Sequence, residues 1–146
     1  MHFVTGGAYN GKSAWVKNLY TLSKHSQFHW ISAYEGERLL EDPLQITSHL
    51  LILEGIEQWI KEMIFNTDLD KTRNCWNEKL TELQKWEYRN SRNKVILIGT
   101  DIFKGIVPLD KMERKWRDVT GWCYQDTTTK ADRVDLIWYG IHQRIK

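Results

Sequence analysis

Gly6-Gly7-Ala8-Tyr9-Asn10-Gly11-Lys12-Ser13 is the stretch on which the reading of this chain turns. It fits the pattern G-x-x-x-x-G-K-[ST] and follows a short run, His2-Phe3-Val4-Thr5, of strand character. Glycines let successive backbone N–H groups curl around an anion, and a helix starting near Lys12 points its positive end at the same place. Lys12 adds a mobile point charge for terminal phosphates, and Ser13 offers a hydroxyl to Mg²⁺. Gly6, Gly7, Ala8, Tyr9, Asn10, Gly11, Lys12 and Ser13 are therefore the expected nucleotide-binding residues, with ATP or GTP and Mg²⁺ as the ligands. A Gly-rich turn that merely feeds a helix is the competing reading. The placement between a strand and a helix speaks against it.

Working outward, strand one is expected over His2–Thr5 and a helix over Lys12–Leu22, where Trp15, Val16, Leu19 and Tyr20 form an apolar stripe. Phe28–Ala33 carries the β propensity of a second strand. Glu35–Glu41 reads as a short helical turn, interrupted by Pro43. Leu50-Leu51-Ile52-Leu53 is a continuous apolar run ending in Glu54, the mark of a strand buried on both faces of a parallel sheet. Ile56–Phe65 has helical periodicity, Asn66–Lys71 is turn-rich, and Trp76–Tyr88 is amphipathic. Val95-Ile96-Leu97-Ile98 is another buried strand, followed by a loop over Gly99–Pro108. A helix over Leu109–Tyr124, a strand over Val134–Tyr139, a turn at Gly140 and a tail strand over Gln143–Ile145 complete the chain.

Strands alternating with helices imply βαβ units. Right-handed crossovers then place helices on both faces. The expected fold class is α/β: a P-loop NTPase-like three-layer sandwich with a mostly parallel sheet. Ligands in such sheets bind at the carboxyl ends of the strands. The loop at 6–13, Glu54 and Thr100-Asp101 all follow strands, so they are expected at one edge.

At 146 residues the chain is expected to form one nucleotide-binding domain with a core that needs no staples. Its net charge of +2 implies no nucleic-acid or membrane surface. Cys75 and Cys123 lack metal spacing, and no signal-like or bilayer-length apolar run is present, so a cytoplasmic protein is expected. The eight tryptophans read as large residues covering a small sheet, or as the lining of a groove or subunit interface.

Two acids are candidates to hold or orient Mg²⁺, because hard cations take oxygen ligands: Glu54, which ends an apolar strand, and Asp101, three residues beyond Ile98. Each could instead be a helix-start carboxylate favoured by the helix dipole. Phosphoryl transfer needs positive charge on the developing transition state. Lys12 is the first candidate and Arg117, one turn beyond Arg114, the second; a salt bridge is the alternative for Arg117. Among the five histidines, His29 is expected as a packed aromatic inside strand two, His2 leads strand one, His25 lies in a turn, His49 precedes a strand and His142 sits in the tail. None has a sequence-near partner that marks a nucleophile or metal ligand.

Read together, Val4-Thr5-Gly6-Gly7-Ala8-Tyr9-Asn10-Gly11-Lys12-Ser13 and a second block resemble the adenosylcobinamide kinase / adenosylcobinamide-phosphate guanylyltransferase family of cobalamin biosynthesis. The second block is Gly105-Ile106-Val107-Pro108, Arg117-Asp118, Gly121, Gln125, Ala131-Asp132, Val134 and Gly140, similar to the family's G-I-V-P, F-R-D, G, N-Q, A-D and G in order and spacing. The resemblance implies a kinase that phosphorylates the aminopropanol hydroxyl of adenosylcobinamide, followed in the full family by guanylylation through a histidine phosphoramidate. It implies a corrinoid substrate, a homo-oligomer with its site between subunits, Glu54 at the acid of the family's L-L-x-[ED]-C, and Asp101 at the acid of its T-N-E. The family's acceptor histidine follows strand two in a segment like R-I-x-x-H-x-x-x-R. Here Ala33 runs through Tyr34-Glu35-Gly36-Glu37-Arg38-Leu39-Leu40 to Glu41-Asp42-Pro43-Leu44, and that segment is missing. Tyr9-Asn10 replaces the family's Arg-Ser, and Thr100-Asp101-Ile102-Phe103 departs from its T-N-E-V-G. Without a nucleophile the covalent guanylyl step has no atom to form on, whereas phosphoryl transfer needs only positioning and electrostatics. The expectation is a kinase with guanylyl transfer weakened or lost; a non-catalytic nucleotide-binding module on the same scaffold is the alternative.

Overall fold

The structure, a computed structural model, describes residues 1–23 and 27–146. The turn expected at His25 lies outside these residues. The chain runs β1 (His2–Gly6), α1 (Lys12–Leu19), β2 (Phe28–Ser32), two 3₁₀ turns (Ala33–Glu35 and Pro43–Gln45), β3 (Leu50–Glu54), α2 (Ile56–Asn66), α3 (Leu69–Tyr88), β4 (Lys94–Thr100), α4 (Lys111–Lys130), β5 (Arg133–Trp138) and β6 (Ile141–Arg144). One sheet forms in the order β2-β3-β4-β1-β5-β6. All neighbours are parallel except β5 and β6, which are antiparallel. The α/β class and the mostly parallel sheet are as expected.

Side-chain alternation divides the core into two layers. Val4, Ile52, Ile96, Ile98 and Ile137 pack with Val16 of α1 on one face. Phe3, Leu51, Leu53, Val95, Leu97 and Val134 pack on the other, with Trp59 and Ile60 of α2, Trp76, Leu80 and Leu83 of α3, and Val119 and Cys123 of α4. Helices thus cover both faces, one against three. The interior strands read as unbroken apolar runs because both faces are buried. Burying each such Leu or Ile contributes roughly 1.5–3 kcal/mol. Among the described residues no helix is long and apolar enough to cross a membrane.

Several boundaries differ from the sequence reading. Helix α1 stops at Leu19 rather than Leu22, because Tyr20 leaves helical geometry and Thr21 takes a positive φ of 52°. The helical turn expected at 35–41 forms earlier, at Ala33–Glu35. The break expected over 66–71 shrinks to two residues, since the Asp68 carboxylate accepts the Lys71 N–H and starts α3 at Leu69. Helix α4 runs on to Lys130 through three threonines of poor helix propensity. Thr127 is buried there, donates to the Cys123 carbonyl and accepts the Trp76 indole N–H at 2.9 Å. Gly99 and Thr100 extend β4 instead of opening a loop. The tail strand begins two residues earlier than expected, at Ile141. His29, expected to be packed, is exposed near the start of the edge strand β2.

The register places the ends of the strands together. Gly6 pairs with Thr100, Glu54 with Ile98, and Ser32 with Glu54. One edge therefore carries the loop after β1, the acid ending β3 and the residues after β4.

Candidate functional site

The loop after β1 leaves the sheet at Gly6, where any side chain is excluded: an added Cβ would lie 2.2 Å from the Ile137 carbonyl oxygen. The loop closes on itself through Asn10 N–H to Gly7 O, and the Gly140 N–H of the β5–β6 turn donates to Asn10 O at 2.9 Å. Gly11 caps α1 in the left-handed conformation with no side-chain hydrogen bond and no acid in the first turn. The first N–H groups of α1 are thus free of side-chain caps, the arrangement that attracts phosphate.

Lys12 is 8% exposed and folds back over the loop, donating to Gly7 O at 2.9 Å and Gly6 O at 3.2 Å. Burial pushes its pKa down; Glu57, Glu54 and Asp101 pull it up in turn. The Ser13 hydroxyl donates to Glu54 Oε1 in a short contact, and the Trp30 indole N–H donates to Glu54 Oε2 at 2.9 Å. Glu54 is therefore fixed from two elements, α1 and β2. A hydroxyl and a carboxylate in contact form a donor set suited to Mg²⁺, whose remaining ligands are commonly phosphate oxygens and water.

A second acid sits one helical turn beyond Glu54. Glu57 is 1% exposed, and the Thr100 N–H donates to its Oε2 at 2.9 Å. The Tyr34 hydroxyl donates to Oε1, and the Tyr124 hydroxyl lies 3.2 Å from Oε2 and 3.0 Å from Thr100 O. Room for that phenol exists because residue 99 is glycine: a Cβ there would lie 2.3 Å from the Tyr124 oxygen. These groups surround a cavity of about 720 Å³, lined by residues 8–14 together with Tyr34, Glu54, Glu57, Gln58, Thr100 and Ile102. Among the described lining residues there are carboxylates, hydroxyls and an amine but no imidazole.

The other candidates lie elsewhere. Asp101 accepts the Phe103 N–H at 3.0 Å, and its side chain borders a separate cleft of about 740 Å³ between α4 and β5. Arg117 donates to the carbonyls of Phe103 and Ile106, so it braces the 103–106 loop and does not line the cavity beside residues 8–14. Trp30, Tyr34 and Glu57 escaped the sequence reading. Glu57 had one visible signal, an acid at the first turn of α2, which reads equally as a partner for the helix dipole.

Residues 24–145 match the family described as cobinamide kinase / cobinamide phosphate guanyltransferase. The bifunctional adenosylcobalamin biosynthesis protein CobP of Pseudomonas aeruginosa is 24% identical over 173 aligned positions, covering 98% of this chain and 95% of the relative. The bifunctional adenosylcobalamin biosynthesis protein CobU of Escherichia coli is 26% identical over 107 residues, 68% of this chain and 59% of the relative. The protein of the same name from Salmonella typhimurium is 38% identical over 53 residues, 36% of this chain and 29% of its own length. The alignment with CobP is longer than this chain of 146 residues, so it opens gaps in it.

Proposed function

Because this chain belongs to the cobinamide kinase / cobinamide phosphate guanyltransferase family, we propose that it transfers the terminal phosphoryl group of ATP or GTP to the aminopropanol hydroxyl of adenosylcobinamide, with guanylyl transfer weakened or lost. The observation that carries the reading is one cavity uniting Lys12, Ser13 and Glu54 beneath the uncapped start of α1. Residues 1–146 act as one nucleotide-binding unit. The loop N–H groups from Gly7 to Ser13 cradle the phosphates. Lys12 leaves the Gly6 and Gly7 carbonyls to meet the charge that builds on the transferring group. Ser13 and Glu54 hold Mg²⁺, which neutralises charge on the phosphates. Arg117 serves by bracing the loop beside the cavity mouth.

Loss of the guanylyl step is supported by the short connection from Ala33 to Pro43, by the gaps against CobP, and by a lining that, among the described residues, holds no imidazole to carry a phosphoramidate. The test uses γ- and α-labelled nucleotide with adenosylcobinamide. Label should pass from the γ position only. Protein-bound or product-bound α label at a comparable rate would refute the guanylyl half. Nucleotide binding with no γ transfer would favour the non-catalytic module.

A further inference from the structure

Glu57 raises a physical question that the phosphate loop does not answer. It is 1% exposed, and no ion pair reaches it among the described residues. A carboxylate withdrawn from water costs several kcal/mol unless hydrogen bonds replace its hydration. The Thr100 N–H and the Tyr34 hydroxyl donate to it, and the single Tyr124 phenol hydrogen is shared between Glu57 Oε2 and the Thr100 carbonyl. Tyr124 is 7% exposed and belongs to the core, whereas Tyr34 is 52% exposed and borders the cavity. Tyr34 therefore connects a buried anion to the space in front of the phosphate loop.

Proton counting fixes the direction of this connection. A phenol has one hydrogen, and that of Tyr34 is committed to Glu57 Oε1. The 2.8 Å contact between Tyr34 and Thr100 must then run from the Thr100 hydroxyl to the Tyr34 oxygen. The Tyr34 oxygen is left as an acceptor facing the cavity, complementary to an incoming O–H group. Glu54, by contrast, is occupied by Ser13 and Trp30 on the loop side of the same cavity.

We propose that Tyr34 receives the hydroxyl of the alcohol to be phosphorylated and that Glu57 is the proton sink behind it. The inference rests on the kinase reading above and adds to it the device that selects and deprotonates the acceptor. In the step, the alcohol proton passes to Tyr34 Oη as the Tyr34 proton passes to Glu57 Oε1. The alcohol oxygen forms its bond to the terminal phosphorus, and the bond from that phosphorus to the bridging oxygen breaks. The electron pair of that bond leaves on the nucleoside diphosphate. Burial and the Glu57 carboxylate hold the Tyr34 pKa well above its ordinary value. The phenol thus passes a proton along rather than resting as phenolate. Neutralising Glu57 also removes a negative charge near the phosphoryl group as it transfers.

The test is Tyr34→Phe in the full chain, with Glu57→Gln as the second variant. Two readouts are needed: binding of a non-hydrolysable nucleotide and γ-label transfer to adenosylcobinamide. Tyr34→Phe should bind nucleotide as the parent does and lose about 10²–10⁴-fold in transfer, the usual worth of a positioned acid or base. Glu57→Gln should likewise bind nucleotide as the parent does and lose transfer by a similar factor. Transfer within about threefold of the parent in Tyr34→Phe, or an equal loss of nucleotide affinity and transfer as expected of a mere clamp, overturns the proposal. Should the parent protein bind nucleotide yet label no adenosylcobinamide, the kinase reading itself falls and takes this one with it.

Discussion

At the carboxyl ends of the strands, Lys12, Glu54 and Glu57 border an open cavity of about 720 Å³; at the amino ends, ionisable groups are matched with one another. His2 is fully buried, with Nε2 2.7 Å from Asp135 Oδ2 and Nδ1 2.8 Å from the Tyr20 hydroxyl. Arg133 donates to the same Asp135 oxygen, and the Met1 ammonium meets Glu87 and Asp132, each at 2.5 Å. Burial drives the His2 pKa down to about 4, although Asp135 pulls the other way. Perturbed titration is a recognised mark of functional sites, but structural networks produce it too. What separates the two ends is what the groups border: an open cavity at one, each other at the other. The proposed chemistry belongs to the first, fold stability to the second.

The sharpest way to break this division is Lys12→Ala. Turnover should fall on the order of 10²–10³-fold, as for loss of one charge-stabilising donor in a transition state. The thermal midpoint should hold or rise, because folding depresses the Lys12 pKa and the buried charge is a burden on the native state. Steady-state kinetics beside calorimetry checks both; an active but destabilised variant would show that Lys12 serves the fold. The amino end should behave in reverse. The folded value for His2, about 4, lies below its ordinary 6.5. The unfolded chain therefore takes up a proton first as pH falls. The stability is fully present above pH 6.5 and is lost between 6.5 and 4, a change on the order of 3 kcal/mol. Urea unfolding at steps across that range reads it out, and His2→Asn should flatten the curve while nucleotide affinity at neutral pH stays put.

The same contrast explains what could be read before the fold was in view. The loop after β1 and the runs Leu50–Glu54 and Val95–Ile98 were legible as structure because each is contiguous, and a parallel sheet buried on both faces writes itself as unbroken apolar sequence. Glu54 was legible because it ends such a run. Tyr34 and Glu57 were not, because their meaning arises only when a 3₁₀ turn, the start of α2 and the end of β4 converge. Arg117 had the chemistry expected of a catalytic cation, yet the carbonyls of Phe103 and Ile106 claim its guanidinium. Position along a helix does not reveal that competition. The full length of α4 was hidden for a related reason: the threonines at 127–129 argue against helix, and only the buried bond from Trp76 to Thr127 overrides them.

Trp30 offers the finest probe of the open end, because it touches the site without bordering the cavity. Its indole N–H reaches Glu54 Oε2 from β2, while Ser13 holds the other oxygen from α1. If those two contacts fix the carboxylate for a cation, Trp30→Phe should leave the sheet intact and let Glu54 turn. The loss of one hydrogen bond to a partly buried carboxylate is worth about 1 kcal/mol, so the Mg²⁺ concentration for half-maximal activity should rise about fivefold. Maximal turnover at saturating Mg²⁺ should be little changed. A variant that lost turnover without any change in Mg²⁺ demand would place Glu54 on the chemical step itself, beside Lys12, and not on the metal.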